Sequence, residues 1–486
     1  MNRREFLAAT SAAALAGRGG VQASGDRGLT EGHPVHVVVD ARRRLGTIPR
    51  DFVGLGYEIS SVAIPDLLSA RNRTYVELVR TLSPEGVIRV GGNTSDDASY
   101  APTGQAVSAP KGTIVNGANF QELGTFLEAT NWRLIWGLNL GSTDERQATA
   151  EAEAVSAATD HILAFEIGNE PDLFGRGTVH RPNGYNYEAF LKEFRRYKAA
   201  IRAKVAKAPF AGPDVADATD WVVRFAEDER DDLRLLTHHY YRECASPAST
   251  LDKLLHVDPK LGPELATLRA ASSSAKVPYR ICETNSFCGG GMPGVSDSFG
   301  AALWVLDFMF LVAYAGCAGV NIETGVNQLG FVSSYSPIRQ HESGSYCATP
   351  EYYGMLAFGK ASQGTALAVD CDSAGANVTA YAVVGDRTGL SVTIINKDES
   401  LDAHVSLSIA KELDQAQIFR LIGPSLESKE GVTFGDSVVG SNGKWKPSAT
   451  EFLHSRGGRA AVHVPAGSAA VIKWVAYNAH TTGLAV

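Results

Sequence analysis

The stretch AFEIGNEPD (residues 164–172) decides how the rest of the chain is interpreted. Its first half is rich in apolar residues and predicts a buried strand. The Asn-Glu-Pro that follows ends the strand, because proline cannot donate the next hydrogen bond of a sheet ladder. A carboxylate directly after a strand end is well placed to project into a cleft. Glu170 is therefore the first candidate for a chemical role.

A second stretch of the same form, YRICETN (residues 279–285), lies further along the chain and is followed by GGG (residues 289–291). Glycines let backbone N–H groups approach a ligand closely and bind an anion, although such a run also suits a flexible loop. Two carboxylates at two strand ends are what hydrolysis of a glycosidic bond requires, one as acid/base and one as nucleophile or base. We predict Glu170 and Glu283 to be that pair.

Strand and helix signals alternate regularly from Phe52 onwards, which indicates parallel βαβ units. Eight such units over about 300 residues predict a (β/α)₈ TIM barrel, here within residues 51–365, with its site at the C-terminal ends of the strands. The predicted strands are residues 52–58, 87–93, 134–139, 164–167, 210–214, 233–241, 279–285 and 319–323. Polar residues at their ends are Glu58, Asn93, Asn139, Glu170, His239, Tyr241 and Glu283. Of these, Glu58, Asn93, His239 and Tyr241 are the candidates for substrate binding.

The pattern of the sequence changes near Ala366, from alternating strand and helix signals to strand signals alone. Runs rich in β-formers, divided by Gly, Asn, Asp and Ser, predict an antiparallel β-sandwich over residues 366–486. The early strand at Val37–Val39, within residues 26–50, is expected to join it.

Within the barrel, helical spacing predicts helices over residues 64–82 and 251–271.

The N-terminus has the pattern of an export signal in residues 1–25. An arginine pair at Arg3-Arg4 precedes an alanine-rich apolar run, and a small-residue cleavage site follows at residues 21–23. The arginine pair before Phe-Leu is typical of a twin-arginine signal. An ordinary secretory signal or an exposed tail are the alternatives. We expect export to the periplasm or the medium.

Composition narrows the class of protein. The 486 residues are 44% hydrophobic and 20% charged, which are ordinary globular values. A net charge of −8 argues against nucleic acid and anionic membranes as partners. The apolar run at residues 301–315 contains Asp307 and is shorter than the ~20 residues of a membrane span, so it predicts a buried helix.

The six cysteines form neither a disulfide framework nor a metal motif by spacing. Cys282 lies inside a predicted strand and is expected to be a small buried residue. Cys288 has two interpretations, a disulfide with Cys244 or a place in the lining of the pocket. His239 and Tyr241 share one face of their strand and are expected to orient Glu283; a core histidine is the alternative for the first.

The chain after the N-terminal signal resembles glycoside hydrolase family 79, the family of microbial β-glucuronidases and heparanases. The matching stretches, in order, are LIWGLN (134–139), EIGNEP (166–171), GPDV (212–215), THHYY (237–241) and ETNS (283–286). Asn-Glu-Pro alone is shared by many barrel glycosidases. The set of five in order is much more specific.

The resemblance implies a retaining mechanism without a metal or an organic cofactor. It assigns Glu170 as acid/base and Glu283 as nucleophile. In such an enzyme, burial and the charge of Glu283 raise the pKa of Glu170, while hydrogen bonds from Tyr241 and other polar groups keep Glu283 ionised. The two carboxyl groups are expected about 5–5.5 Å apart.

The resemblance also implies the sugar contacts. Asn169 matches the asparagine that contacts the sugar 2-OH, and Glu58 the first-strand acid that binds sugar hydroxyls. Gly289 and Gly290 match the loop whose backbone N–H groups receive the glucuronate carboxylate. Many relatives have a tyrosine before that glycine pair, where this chain has Cys288.

These observations predict an exo-β-glucuronidase acting on glucuronate-containing oligo- or polysaccharides. The segment 327–347 is long enough to wall off the cleft beyond a terminal sugar, and its Tyr335 and Arg339 are candidates for contact with the substrate. An endo-acting, heparanase-like enzyme should carry a basic groove, and no Lys/Arg cluster occurs near the strand ends. An arabinofuranosidase or xylosidase of the same clan, and a catalytically silent carbohydrate-binding protein, remain open alternatives.

Overall fold

A computed structural model describes residues 32–102, 112–176, 179–325, 333–385, 389–409, 413, 415–448 and 451–474. The predicted export signal, residues 1–25, lies outside the described residues, as do residues 326–332 of the predicted wall segment. Within the described ranges, every helix is too short or too polar to cross a membrane.

The strands follow one another from the barrel to the C-terminal sheet. They are β1 (His33–Thr47), β2 (Val53–Glu58), β3 (Val87–Gly91), β4 (Ser99–Tyr100), β5 (Ile114–Val115), β6 (Arg133–Leu138), β7 (Ile162–Ile167), β8 (Ala211–Val215), β9 (Leu235–Tyr241), β10 (Tyr279–Asn285), β11 (Val320–Glu323), β12 (Ile338–Gln340), β13 (Tyr346–Ala348), β14 (Thr365–Asp372), β15 (Val378–Gly385), β16 (Gly389–Asn396), β17 (Ala403–Ile409), β18 (Gln415–Ile422), β19 (Thr433–Phe434), β20 (Glu451–His454), β21 (Arg459–Val464) and β22 (Ser468–Trp474). The α-helices are α1 (Arg73–Leu82), α2 (Gly117–Thr130), α3 (Glu145–Ala158), α4 (Tyr187–Lys204), α5 (Thr219–Glu229), α6 (Leu251–Leu255), α7 (Leu261–Ala275), α8 (Phe299–Tyr314) and α9 (Pro350–Ala361).

Eight parallel strands form the barrel, in the order β7-β6-β3-β2-β11-β10-β9-β8. The two end strands meet through a parallel bridge between Phe165 and Phe210, and the N–H of Phe165 donates to the carbonyl of Pro209 (2.8 Å). The sheet therefore nearly closes on itself, and the predicted TIM barrel is confirmed. Because all eight strands run in one direction, the residues at their C-terminal ends lie on one face.

Two predicted helices differ in extent from the helices observed. The helix expected over residues 64–82 begins only at Arg73, where the side chain of Asn72 accepts from the N–H of Tyr75 (3.3 Å). Asp66 has a φ of 63°, which a helix does not accommodate. The helix expected over residues 251–271 is divided into α6 and α7, because Pro259 disfavours helical geometry at the residue before it.

The C-terminal region is one curled sheet rather than two separate ones. Its strand order is β19-β18-β22-β16-β15-β14-β1-β17-β21, with β20 on β18. Neighbours are antiparallel except for β1 and β17, which run parallel. The sheet encloses its own apolar core, to which β1 contributes Val35, Val37 and Val39.

Barrel and sheet are joined by a buried polar cluster as well as by apolar packing. The apolar helix α8, which is mostly buried, carries Asp307 toward the sheet. Asp307 accepts from Thr379 Oγ1 (2.6 Å) and Tyr381 OH (2.7 Å) and forms an ion pair with the buried Lys397. The main apolar core extends from the barrel helices to Tyr381 in β15, so residues His33–Val486 form one unit.

Candidate active site

Glu170 lies three residues beyond the end of β7, as the first stretch predicts. Its φ of 52° and that of Asp214, 59°, are in the left-handed region that non-glycine residues rarely adopt. The N–H of Glu170 donates to the carbonyl of Asp214 (2.8 Å), which fixes one strand-end loop against the next. The carboxylate therefore projects from a backbone held in an unusual conformation.

Glu283 faces Glu170 from β10. Its Oε2 accepts from Arg89 Nη1 (2.7 Å), and its Oε1 accepts from Tyr241 OH (3.2 Å). The side chains of Glu283 and Glu170 are 8% and 16% exposed, so both are largely shielded yet reachable. One carboxylate oxygen of Glu170 and one of Glu283 lie within 4.8 Å of each other. The barrel thus brings together the two predicted carboxylates.

Arg89 is a site residue that the sequence analysis missed. This fully buried guanidinium donates to Glu283, to Glu166 Oε2 (3.2 Å), to Asn169 Oδ1 (2.8 Å) and to Asp214 Oδ2 (2.6 Å). A buried cation with several carboxylate partners neutralises charge that would otherwise be costly inside the barrel. The available signal was an arginine in the middle of an apolar strand.

His239 links Glu170 to Asp214. Its Nδ1 lies 3.0 Å from Glu170 Oε1 and its Nε2 lies 2.9 Å from Asp214 Oδ1, while the nearest oxygen of Glu283 is 3.8 Å away. The hydrogen bonds of His239 thus go to the predicted acid/base and to Asp214, whereas Tyr241 alone of the expected pair donates to Glu283.

The protonation states of Asp214, His239 and Glu170 follow from the charges around them. Burial opposes the charged form of Asp214, yet Arg89 and His239 hold the pKa of this carboxyl well below its usual range. An ionised Asp214 only accepts, so the proton of His239 faces it on Nε2. Burial by itself would lower the pKa of His239, but Asp214 and Glu283 raise it well above its ordinary value. The hydrogen bond between His239 Nδ1 and Glu170 Oε1 (3.0 Å) requires one proton, carried by one of these two atoms.

Two further carboxyl groups at the strand ends have raised pKa values. Burial raises the pKa of Glu170, and the charge of Glu283 adds to this against the opposing effect of His239. Burial and the same charge raise the pKa of Glu58 to about 7. Glu58 Oε2 accepts from the N–H and the hydroxyl of Thr94, both at 2.7 Å. Glu170, His239 and Glu283 each place one atom that could ligate a cation within 4.8 Å of the others, and the same side chains take part in the hydrogen bonds described above.

Asn169 is held from two sides. Its side-chain oxygen accepts from Arg89, and its N–H donates to Asp96 Oδ2 (2.9 Å). The other oxygen of Asp96 accepts from the N–H groups of Leu140 (2.9 Å) and Gly141 (3.0 Å). Burial raises the pKa of Asp96 to about 7. This second missed residue fixes the loops after β6 and β7 in place.

The glycine loop, residues 289–291, has positive φ at each residue: 77°, 93° and 79°. Within the described part of the chain, the N–H groups of Gly289 and Gly290 have no hydrogen-bond acceptor, whereas the carbonyl of Gly290 accepts from the N–H of Ser334 (2.7 Å). The ring of Tyr335 lies beside Gly291 and stacks on Tyr241, with 6.5 Å between ring centroids. The loop is thereby connected to the residue that hydrogen-bonds Glu283.

Two asparagines at strand ends lie apart from this cluster. Asn93 is exposed in the turn after β3, and its neighbour Thr94 is the residue that contacts Glu58. The Asn139 amide donates to the carbonyl of Ala98 (2.6 Å) and to Ser142 Oγ (3.0 Å), which closes the loop after β6.

The segment expected to be a structureless wall contains a short hairpin, β12–β13. Tyr335 precedes it and is buried; its carbonyl accepts from the Asn285 amide (3.0 Å). Arg339 is half-buried in β12 opposite Cys347. The wall is thus tied to the end of β10 by Asn285.

The structure decides between the two interpretations of Cys288. Cys288 forms a disulfide with Cys244. Cys282 is fully buried, as expected, and its sulfur lies near Glu166 and Asp214 beneath the site.

Comparisons with known proteins agree with this fold. Residues 380–471 match the Glycosyl hydrolase family 79 C-terminal beta domain. The chain is 27% identical over 385 residues to a beta-glucuronidase of Aspergillus niger (71% of this chain, 69% of that protein) and 28% identical over 353 residues to a beta-glucuronidase of Neurospora crassa (62% of each). A crystal structure of a 4-O-alpha-L-rhamnosyl-beta-D-glucuronidase from Fusarium oxysporum superposes with a TM-score of 0.74 at 19% identity, covering 90% of this chain and all of that one.

The barrel and the facing carboxylates, together with these relatives, define the class of protein: it is a TIM-barrel glycoside hydrolase. Within this class, the chain is similar to glycoside hydrolase family 79, through the match of residues 380–471 to that family's C-terminal beta domain and through the two beta-glucuronidases.

Proposed function

We propose that the protein is an exo-acting, retaining β-glucuronidase that removes terminal β-linked glucuronic acid from glycans or glycosides. The observation that carries this proposal is the glycine loop, whose N–H groups at Gly289 and Gly290 have no acceptor among the described residues. A carboxylate on the substrate supplies the missing acceptor. The similar proteins of Aspergillus niger and Neurospora crassa, which are named beta-glucuronidases, support the same substrate.

The position of the loop fits the position of a glucuronate carboxylate. The carboxylate is attached to C5, and the ring oxygen links C5 to the anomeric carbon. The groups that bind the carboxylate must therefore lie about one sugar ring away from the nucleophile. Tyr335 and Tyr241 form a stacked pair between the glycine loop and Glu283. We expect the sugar to lie over this pair, with its carboxylate at Gly289 and Gly290.

The spacing of the two carboxylates supports retention. Retaining enzymes place them about 5–5.5 Å apart, whereas inverting enzymes leave about 6.5–9.5 Å for a water molecule. An oxygen pair within 4.8 Å fits the shorter range.

The first step forms a covalent intermediate. Glu283 attacks the anomeric carbon, the bond to the leaving oxygen breaks, and Glu170 donates its proton to that oxygen. Arg89 balances the charge of Glu283 in the ground state, and Tyr241 orients it. Burial raises the pKa of Glu170, which favours the protonated form that donation requires.

The second step reverses these roles. Glu170, now ionised, takes a proton from water, whose oxygen attacks the anomeric carbon, and Glu283 leaves as a carboxylate. His239 steadies Glu170 in both forms because Nδ1 can accept a proton from it or donate one to it at 3.0 Å. Asn169 and Glu58 are the groups we assign to the sugar hydroxyls.

Exo action is favoured by charge and by the wall. The charged groups that the structure places at the strand ends are mainly carboxylates, and in the described residues Arg89 is saturated by its own partners. Among the described residues, a sulfated polymer would find no basic row there. The segment expected to form the wall contacts the glycine loop through the N–H of Ser334 and the ring of the buried Tyr335.

Export is part of the proposal. The arginine pair and apolar run of residues 1–25 support it. The Cys244–Cys288 disulfide also fits an oxidising compartment.

The test is hydrolysis of 4-nitrophenyl β-D-glucuronide compared with the β-D-xyloside and α-L-arabinofuranoside of the same leaving group. We expect turnover of the glucuronide with kcat/KM at least about a hundredfold above the neutral sugars, because a missing carboxylate leaves the loop N–H groups unpaired. Faster turnover of a neutral sugar would contradict the proposal while leaving the barrel and the carboxylate pair unaffected.

A further inference from the structure

The Cys244–Cys288 disulfide joins the segments that follow two adjacent barrel strands, β9 and β10. Two backbone hydrogen bonds accompany it, from the N–H of Cys288 to the carbonyl of Glu243 (2.9 Å) and from the N–H of Ala245 to the carbonyl of Cys288 (3.1 Å). The cross-link therefore closes a short parallel ladder just beyond the ends of both strands.

Both segments carry groups of the site. Cys244 comes three residues after Tyr241, which donates to Glu283. Cys288 directly precedes Gly289 and Gly290, whose N–H groups have no acceptor in the described residues. The disulfide thus stands between the residue that orients the nucleophile and the groups that we assign to the substrate carboxylate.

Glycine runs need such a restraint. Glycine loses more conformational freedom on ordering than any other residue, and here three successive residues hold positive φ. Along the loop, one further hydrogen bond joins the carbonyl of Gly290 to Ser334, and Ser296 Oγ accepts from the N–H of Met292 (2.8 Å). Restraining a loop in its bound conformation reduces the entropy lost when a ligand binds.

We propose that the Cys244–Cys288 disulfide is a specificity determinant that holds the N–H groups of Gly289 and Gly290 in place for the substrate carboxylate. This inference rests on the proposed function. In the oxidised enzyme the loop is preorganised. In the reduced enzyme it samples other conformations, so that binding of the carboxylate weakens while the chemistry at Glu170 and Glu283 continues.

The experiment compares wild type with the double variant Cys244→Ser/Cys288→Ser on two substrates with one leaving group, 4-nitrophenyl β-D-glucuronide and β-D-glucoside. We expect KM for the glucuronide to rise about tenfold and its kcat to stay within about threefold. The glucoside lacks the carboxylate, so its kcat/KM should change by less than about twofold. Cys371→Ser, which removes a free cysteine in β14 of the C-terminal sheet, is the matched control and should resemble wild type.

Reversible reduction gives an independent measurement on the unaltered chain. Cys244 is exposed, so dithiothreitol should reach the disulfide. Reduction should raise KM of wild type as the double variant does, reoxidation should restore it, and the double variant should not respond. This arm also decides the matter if the double variant does not fold.

Two outcomes would overturn the inference. An equal fall in kcat/KM for both substrates would mean that the disulfide only stabilises the fold, and an unchanged KM would mean that the backbone contacts suffice to hold the loop. Failure of the proposed function has a different signature, since wild type itself would then show no preference for the glucuronide over the glucoside.

Discussion

Arg89, in β3, binds side chains from three other barrel strands. It binds Glu166 from β7, Asp214 from β8 and Glu283 from β10, partners that lie 77, 125 and 194 positions away along the chain. Removing one member of such a buried network costs about 3–5 kcal/mol of stability, because the charges left behind have lost their partner. Arg89 is therefore needed for folding as well as for placing the nucleophile.

Sequence patterns could supply the two glutamates but could not reveal this network. Glu170 and Glu283 stand directly at or after strand ends, where local pattern is informative. The partners of Arg89 and the Asp214–His239–Glu170 chain depend on which strands become neighbours in the closed barrel. An isolated arginine within an apolar strand signals only that a buried acid must exist somewhere.

At the residue scale, we predict that Asp214→Asn impairs acid catalysis selectively. An asparagine amide can either donate to or accept from His239 Nε2, so it no longer holds a proton on that nitrogen. The protonation of Nδ1, which faces Glu170, is then no longer fixed. We expect kcat/KM for phenyl β-D-glucuronide to fall about a hundredfold, and that for the 2,4-dinitrophenyl glucuronide, whose leaving group departs without protonation, to fall less than about tenfold. Steady-state kinetics on a series of aryl glucuronides provide the measurement.

Glu166→Gln is the matched control. Like Asp214→Asn, it removes a carboxylate beside Arg89, but Glu166 is hydrogen-bonded to Arg89 and not to His239. Its effect should not depend on the leaving group. A loss in Asp214→Asn that is equal for good and poor leaving groups would contradict the role assigned to this chain of hydrogen bonds.

At the scale of elements, the glycine loop performs the proposed recognition with backbone alone. Its position after β10 followed from the strand pattern, and its composition indicated an anion site. Three further features depend on how strand-end segments pack and could not follow from composition. They are the N–H groups without an acceptor among the described residues, the disulfide link to β9 and the contact with Tyr335. The shortened α1 has a similar origin, because a cap at Asn72 overrides helical periodicity before it.

We predict that Gly290→Ala weakens binding of the glucuronide. A φ of 93° is costly for any residue with a Cβ atom, so the loop must shift and its N–H groups move. We expect KM for 4-nitrophenyl β-D-glucuronide to rise about five- to thirtyfold, with the glucoside little affected.

Gly375→Ala is the matched control for this substitution. Gly375 has a similar φ, 96°, in a turn of the C-terminal sheet where open space surrounds the position of a Cβ atom. This variant should bind the glucuronide as wild type does. Equal KM values for Gly290→Ala and wild type would remove the loop from the recognition of the substrate.

At the scale of the molecule, the barrel could be predicted because eight strand–helix repeats leave few alternatives. The form of the C-terminal sheet could not. Strand signals identified the β-rich region, but apolar and polar residues alternate in a similar way along the strands of one curled sheet and of two stacked sheets. The difference lies in pairings such as β1 with β14 and β17, which join positions hundreds of residues apart and leave no local trace.

Several buried carboxyl groups make the stability of the whole molecule depend on pH. Burial raises the pKa of Glu151 in α3 to about 7, and its hydrogen bond from Trp136 Nε1 (2.8 Å) opposes this only in part. Between the ordinary pKa of about 4.5 and the folded value, the unfolded chain releases this proton and the folded protein keeps it. Glu151 therefore lowers the free energy of unfolding as pH rises through this window.

We predict that Glu151→Gln is more stable than wild type above pH 7, by as much as roughly 3 kcal/mol, and about equal to it near pH 4.5. Glutamine keeps an acceptor for Trp136 without a charge. Urea unfolding at both pH values measures the difference. A difference that is constant with pH, or a less stable variant at pH 7.5, would mean that Glu151 is not a buried neutral acid in the native protein.

The central claim is that Glu170 and Glu283 act as acid/base and nucleophile of a retaining β-glucuronidase. The most direct test follows, by proton NMR, the first sugar released from an aryl β-D-glucuronide by wild type and by Glu283→Ala. We predict that wild type releases the β-anomer first and that Glu283→Ala loses at least about a thousandfold in kcat, because the covalent intermediate cannot form. Initial release of the α-anomer, or turnover by Glu283→Ala close to that of wild type, would contradict the account.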